Sequence, residues 1–327
     1  MKVLVIGAAG MVGRKLTSAL VRAGQVGGSD ITELLLADIV AAERPVADIP
    51  VASYAVDLSA PETAARLIAL QPDLIFHLAA IVSGEAESDF EKGYRINLDG
   101  TQHLLEAIRL AGLKTPYRPR LVFTSSIAVF GEPLPADIPD EFPLTPLTSY
   151  GTQKAIGELL LADYSRRGFV DGVGIRLPTI VVRPGKPNKA ASGFFSGIIR
   201  EPLACVEAVL PVDVSVRHWF ASPRAAVGFL LHAAAMDTSG LGQRRSLTMP
   251  GLAATVGDEI EALRRVAGDK AVSLIRHEPD PVVAGIVEGW PQAFLAKRAE
   301  SLGFVAEQRF DDIIRVYIED ELGAQIG

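Results

Sequence analysis

The chain has 327 residues, long for a single core and suited to a large domain with a smaller one. Hydrophobic residues make up 49% and charged residues 22%, the balance of a soluble globular protein, and a net charge of −7 argues against a nucleic-acid partner held on a basic surface. No apolar run reaches the roughly 18 residues of a membrane span; the single cysteine, Cys205, forms no internal disulfide and fits a reducing cytoplasm, and five scattered histidines make no metal-ligand cluster.

The N-terminal MKVLVIGAAG reads as a strand entering a turn, not as a signal peptide. VLVI (3–6) is a short β-branched run, and MVGRKLTSALVRAG (11–24) carries apolar residues at helical spacing and ends in glycine. ELLLAD (33–38) and VASYAV (51–56) read as strands. PETAARLIALQ (61–71) is a helix with Pro61 placed at its start. DLIFHLAA (73–80) is a strand, and one long helical pattern covers 87–111 up to Gly112. RLVFTSS (120–126) is a strand, 133–146 a proline-rich loop, Thr148 to Arg167 a helix, and DGVGIRLP (171–178) a strand. Strands alternating with helices imply a parallel sheet covered on both faces, the doubly wound α/β (Rossmann) class. The pattern changes after Pro178. RPGKPNKAASGFF (183–195) is loop-like, SPRAAVGFLLHAAAMD (222–237) is an amphipathic helix, and the tail mixes short strands with helices near 256–267 and 291–302. The expected division is a Rossmann domain of 1–177 with 217–237, and a smaller, discontinuous α/β domain of 178–216 with 238–327.

Strand one runs straight into Gly7-Ala8-Ala9-Gly10-Met11-Val12-Gly13 and then a helix. Such glycines allow a tight turn, close approach of a pyrophosphate, and close helix–strand packing, while the helix N-terminus offers free N–H groups to phosphate. Gly7, Gly10, Met11 and Val12 are therefore candidate cofactor contacts. Asp38 ends the second strand, where a carboxylate accepts from both ribose hydroxyls of NAD and repels the 2′-phosphate of NADP. No Arg or Lys follows at 39 or 40, so NAD is expected. The alternative for Asp38 is an exposed strand-end acid. Asp57 and Leu58 end the third strand where adenine would lie, although Asp57 equally suits a turn cap. Leu78, Ala79 and Ala80 close the fourth strand with mostly small side chains, His77 reads as structural, and Pro178, closing the last strand of the first half, joins the cofactor set.

In SYGTQKAIGE (149–158), Tyr150 and Lys154 lie one helical turn apart and share a face. Ser125 and Ser126 close the RLVFTSS strand, at the sheet edge where ligands bind. Oxidising an alcohol needs a base for its proton and an acceptor for its hydride. A free phenol is a poor base at neutral pH, and lowering its pKa by about 3 takes roughly 4 kcal/mol of differential stabilisation. A lysine ammonium and the positive charge of NAD⁺ are expected to supply that, with Ser126 orienting the substrate oxygen.

GAAGMVG, Asp38, Asp57-Leu58, HLAAI, the Tyr94…Asn97…Gly100-Thr101 run, TSSIAVFG and Tyr150-x-x-x-Lys154 follow one another as they do in the extended short-chain dehydrogenases/reductases, the NAD-dependent epimerase/dehydratase superfamily, which this chain resembles over roughly residues 1–185. The resemblance implies Tyr150 as acid/base, Lys154 as its partner, Ser126 as third member, and Asn97 as a helix-borne structural polar group near the site, counted with the cofactor contacts. It also implies a homodimer through the helices around 87–111 and 148–167. Dehydratases of the superfamily carry an acidic pair where this chain has Ser125-Ser126, which makes elimination a poor fit. Further stretches, SYGTQKAIGELLLADYSRRGF, RLPTIVVRPGKPNKAASGFFSGIIREPL, VRHWFASPRAAVGFLLHAA and LTMPG, resemble the NAD-dependent D-erythronate dehydrogenases within the superfamily. That likeness implies a small sugar-acid substrate oxidised at C2. Ser83, Ser125, Ser126, Tyr150, Arg183 and Asn188 are the expected substrate contacts, with Arg183 on the carboxylate. For Arg183 the alternative is a surface ion pair, and for Ser83 a helix cap. A nucleotide-sugar 4-epimerase using the same triad, and an NAD-sensing protein without catalysis, are the other readings.

Overall fold

Val3, Leu4, Val5 and Ile6 are all buried, because their strand has neighbours on both sides and helices on both faces. In the computed structural model, which describes residues 1–185 and 192–323, this run is β1 (Lys2–Ile6), followed by α1 (Met11–Ala23), β2 (Glu33–Asp38), β3 (Val51–Ala55), α2 (Pro61–Ile68) and β4 (Leu74–His77). Then come α3 (Gly100–Gly112), β5 (Arg120–Ser126), α4 (Ser149–Arg166), β6 (Asp171–Leu177), α5 (Pro223–Ala235) and β7 (Ser246–Thr248). The seven strands are ordered β7-β6-β5-β4-β1-β2-β3. β1 pairs parallel with β2 and β4, β2 with β3, and β4 with β5. The fold is a doubly wound α/β sheet of Rossmann type. Strand order reverses between β1 and β4, so their C-terminal ends open the crevice where such sheets bind ligands.

The single helix expected over 87–111 is instead a chain of short pieces, Ser83–Ser88 and Phe90–Gly93, then a π-helical turn, Tyr94–Asp99, leading into α3. The π turn carries Asn97 and turns its amide inward, a use that π-bulges often have near functional sites.

The chain forms two compact units: residues 1–129, 146–176 and 227–247, and residues 130–145, 177–226 and 248–327. The break at 176/177 lies next to the expected boundary, whereas the 130–145 loop and the 217–221 strand belong to the second unit and 238–247 to the first. The second unit contains a three-stranded sheet, Thr179–Ile180, Arg217–Ala221 and Leu252–Thr255, and a core that includes Phe195, Ile199, Phe220, Leu263 and Ile314. A helix spans Gly193–Leu203 where the sequence pattern is irregular. The helix expected near 291–302 is confined to Lys297–Ser301. Among the described residues no helix is long and apolar enough to cross a membrane.

Within the second unit Glu259, on the helix Val256–Ala267, is fully buried, and neither carboxyl oxygen has a hydrogen-bond partner among the described residues. Burial raises its pKa well above the ordinary carboxyl value, with Asp258 adding to the effect. The folded state therefore holds this proton at pH values where the unfolded chain has released it. Stability from that difference is complete below the unfolded pKa and is lost as pH rises towards the folded one. Glu259→Met, which removes the orphan oxygens, is expected to stabilise the protein by about 1–3 kcal/mol. In thermal melts its lead over wild type should be larger at pH 8 than at pH 5; a variant no more stable than wild type at pH 8 would refute this.

Candidate active site

The glycine turn is shaped by contact with its neighbours. Gly7 has φ +91°, and a Cβ there would lie 2.6 Å from the backbone nitrogen of Ala79; one on Gly13 would lie 2.1 Å from the Gly7 carbonyl oxygen. Any larger residue at either position would push α1 off β1 or open the turn against β4. The first turn of α1 has no side-chain cap and no acidic residue, so its N–H groups face the crevice uncompensated, with the Met11 and Val12 side chains partly exposed. This uncapped end over a closely packed glycine turn fits a dinucleotide pyrophosphate.

Asp38 sits beside the turn. Its Oδ2 accepts from Ala9 N at 2.9 Å and its Oδ1 from Ile39 N at 2.7 Å, so the carboxylate braces the turn and keeps further lone pairs for ribose. Asp57 is a turn cap: Oδ1 accepts from the Ser59 N–H and hydroxyl, and Arg95 approaches Oδ2 at 3.3 Å. The Ser59 hydroxyl chiefly holds its pKa below the ordinary value. Leu58 lies in the core against Gly100. The N–H groups of Leu78 and Ala79 both donate to Ile6 O, leaving side chains and carbonyls to face a ligand.

Asn97, expected among the cofactor contacts, is buried and engaged by protein. Its Oδ1 accepts from Ile81 N at 2.9 Å, and its Nδ2 donates to Gln153 Oε1 at 2.8 Å and Ile81 O at 3.3 Å. It therefore ties the segment after β4 to α4.

Thr148 caps α4 by accepting from Gly151 N at 3.0 Å. A Cβ on Gly151 would lie 2.1 Å from Ala128 O, so only glycine lets this helix settle so close to the end of β5. That approach brings together the ends carrying Ser126 and Tyr150. The Ser126 Oγ accepts from Ala128 N at 3.1 Å, and its hydroxyl is close enough to the Tyr150 phenol to lower the phenol's pKa. Lys154 is 2% exposed; its Nζ donates to Thr124 O at 2.7 Å and lies 5.8 Å from the Tyr150 ring centroid.

The charges differ from the expectation in sign. Burial pushes the Tyr150 phenol up to about 12, and the Ser126 hydroxyl only partly offsets this. Burial brings the Lys154 ammonium down to about 8, with Glu158 pulling the other way. In the protein alone the phenol is thus protonated at neutral pH, because desolvation outweighs the Ser126 hydroxyl. His77 is neutral: burial, reinforced by Lys154, pushes it down to about 3. Thr101 Oγ1 donates to Asn97 O, so it accepts from the His77 Nε2–H at 2.9 Å.

Ser125, expected to touch substrate, is turned away. Its hydroxyl donates to Glu158 Oε1 at 2.5 Å, and Glu158 is forked by Arg176 at 2.8 Å in a buried pair. Sequence reasoning passed over Glu158 and Arg176, although Glu158 stands one turn beyond Lys154 on the same face.

Ser83 opens a short helix, and its hydroxyl makes no hydrogen bond to any described residue. In the second unit, Arg183 donates from Nη2 to Ser192 O and Oγ, both at 3.0 Å, and no carboxylate among the described residues pairs with it. Burial, and then Arg200, hold its pKa below the ordinary arginine value. Pro178 is buried in that unit, and Asn188 lies outside the described residues.

The model of the NAD dependent epimerase/dehydratase family matches residues 3–217. Two proteins named D-erythronate dehydrogenase are similar over nearly the whole chain. The one from Cupriavidus necator is 48% identical, covering 98% of both chains. That from Haemophilus influenzae is 40% identical, covering 98% of this chain and 100% of its own. A solved structure described as the nucleoside-diphosphate-sugar epimerase from Agrobacterium tumefaciens has a TM-score of 0.98 and 63% identity, covering 100% of this chain and 96% of that one.

Proposed function

Because the chain belongs to the NAD dependent epimerase/dehydratase family, we propose that it oxidises the C2 hydroxyl of D-erythronate to give 2-dehydro-D-erythronate. NAD is the cofactor, and the enzyme is an oxidoreductase acting on a CH–OH group. The observation that carries the substrate choice is the likeness to two D-erythronate dehydrogenases along the second unit as well as the first. The half-buried Arg183, which no carboxylate among the described residues pairs with, supports an acid as substrate.

The turn from Gly7 to Gly13 and the start of α1 would hold the pyrophosphate, Asp38 the adenosine ribose, and Lys154 the nicotinamide ribose. Bound there, NAD⁺ supplies the hydride acceptor and a second positive charge beside the phenol. Ser126 holds the C2 oxygen, Tyr150 takes the hydroxyl proton as the C2–H bond breaks, and Lys154 stabilises the phenolate while its Thr124 bond fixes it in place. In the reverse direction Tyr150 returns the proton. Pairing of two copies through α3 and α4 is part of the same reading.

The test is NADH formation, followed by absorbance, when the protein meets NAD⁺ and a panel of four-carbon sugar acids. A second reading, a nucleoside-diphosphate-sugar epimerase, is favoured by the description of the 63% identical structure. It predicts interconversion of nucleotide sugars with no NADH released, and that result, with every sugar acid inert, would replace our reading.

Cofactor choice has its own check. Asp38→Ala is expected to raise the KM for NAD⁺ roughly tenfold or more, since one or two charge-assisted hydrogen bonds at about 1.5–3 kcal/mol each are lost. Wild type should strongly prefer NAD⁺ to NADP⁺. An unchanged KM, or a preference for NADP⁺, contradicts the assignment.

A further inference from the structure

We propose that Glu158 and Arg176 act as positioning residues of the catalytic set: the pair keeps Lys154 in its charged form and holds the end of β5 that presents Ser126. The proposal rests on the catalytic roles of Tyr150, Lys154 and Ser126 given above, but not on which alcohol is oxidised.

The geometry begins with spacing. Tyr150, Lys154 and Glu158 recur every fourth residue of α4, so they line one inward face. Lys154 is 2% and Glu158 4% exposed. A buried ammonium needs compensation, and around Lys154 it is sparse. From β5 come the Thr124 carbonyl at 2.7 Å and the Phe123 ring, whose centroid lies 4.9 Å away. From the end of β4 comes His77, which is neutral. Tyr150 is protonated in the free protein. Glu158 is thus the anion that favours the charged lysine.

Glu158 in turn is held from two elements. Arg176 on β6 donates to it from Nε at 3.0 Å and from Nη2 at 2.8 Å, and Ser125 on β5 donates its hydroxyl. The Ser125 bond pins the residue next to Ser126, so one carboxylate sets both the charge of Lys154 and the orientation of the strand end. Arg176 partly neutralises Glu158 and tempers its pull. With Glu158 made neutral, two cations would share a dry pocket. Arginine does not release its proton there, so the lysine would. With Arg176 made neutral, the carboxylate would act on Lys154 unopposed. The two substitutions therefore move the lysine in opposite directions, which a merely structural pair would not do.

The test is an NMR titration of protein carrying ¹³C at the lysine Cε, with the Lys154 signal assigned from a Lys154→Met variant. Glu158→Gln is expected to lower the Lys154 midpoint by about one pH unit or more, a tenfold loss in proton affinity. Arg176→Gln is expected to raise it. If Glu158→Gln does not fold, the upward move in Arg176→Gln remains a full test. Midpoints that stay put, or that move the same way in both variants, overturn the proposal. The alkaline limb of kcat for sugar-acid oxidation should follow the midpoints. If wild type oxidises no sugar acid, the substrate reading fails while the titrations still judge the pair.

Discussion

Tyr150→Phe is expected to cut kcat by about 10²–10⁴, the usual worth of a general acid–base group, while the Kd for NAD⁺ stays within a few-fold of wild type. The substitution removes one oxygen from a ring that is otherwise kept. What it takes away is the proton carrier beside the Ser126 hydroxyl and one turn from Lys154. Because that phenol is protonated at neutral pH in the free protein, the loss should be seen in reduction, where it donates, as well as in oxidation, where it accepts. Stopped-flow kinetics in both directions, with NAD⁺ binding followed by titration calorimetry, check this. Activity near wild type in either direction would remove Tyr150 from its role.

The second large effect is expected at Arg183. Arg183→Met should lower kcat/KM for the sugar acid about 10- to 100-fold, as expected for charge-assisted hydrogen bonds worth about 1.5–3 kcal/mol, with the KM for NAD⁺ unchanged. Arg183→Lys should recover part of the loss, since the charge returns without the two-pronged geometry. The Tm should hold or rise, because a half-buried cation that no carboxylate among the described residues pairs with costs stability in the free protein. Weaker substrate binding with undiminished stability separates a binding residue from a structural one. A drop in Tm at unchanged KM would assign Arg183 to folding instead.

The alternation of strands and helices in the first half was legible because both periods are strong there, and the order of the sheet follows from a few handedness rules. The Tyr150–Lys154 spacing was legible for a similar reason: a turn of helix fixes which side chains share a face. Charge was not. Whether an ammonium or burial governs Tyr150 depends on how much water reaches the phenol, a property of the assembled site. Ser125 was misread because its neighbour Ser126 faces the other way along an alternating strand, and only the position of Glu158 shows which of the two turns inward. Likewise Asp57 and Asn97 have the right residue types at the right places, yet their polar atoms are engaged by Ser59, Arg95, Ile81 and Gln153. The break of one long helix into short pieces around a π turn leaves almost no trace in apolar periodicity.

The edge of the first unit is built from late parts of the chain. Arg120, at the start of β5, donates to the carbonyls of Ala233, Ala234 and Met236 at the end of α5, and Arg245, just before β7, reaches Asp171 and Gly172 O at the start of β6. During synthesis, then, the sheet on which the helix carrying Tyr150 and Lys154 packs cannot close until residue 247 of 327 has emerged. Until that point the β6 edge stays open, and the Arg120–Asp171 pair lacks Arg245 and the α5 carbonyls, exposed to other unfinished chains. A chain cut near residue 178 would be held in that state permanently, so the two halves are expected to fold together or not at all.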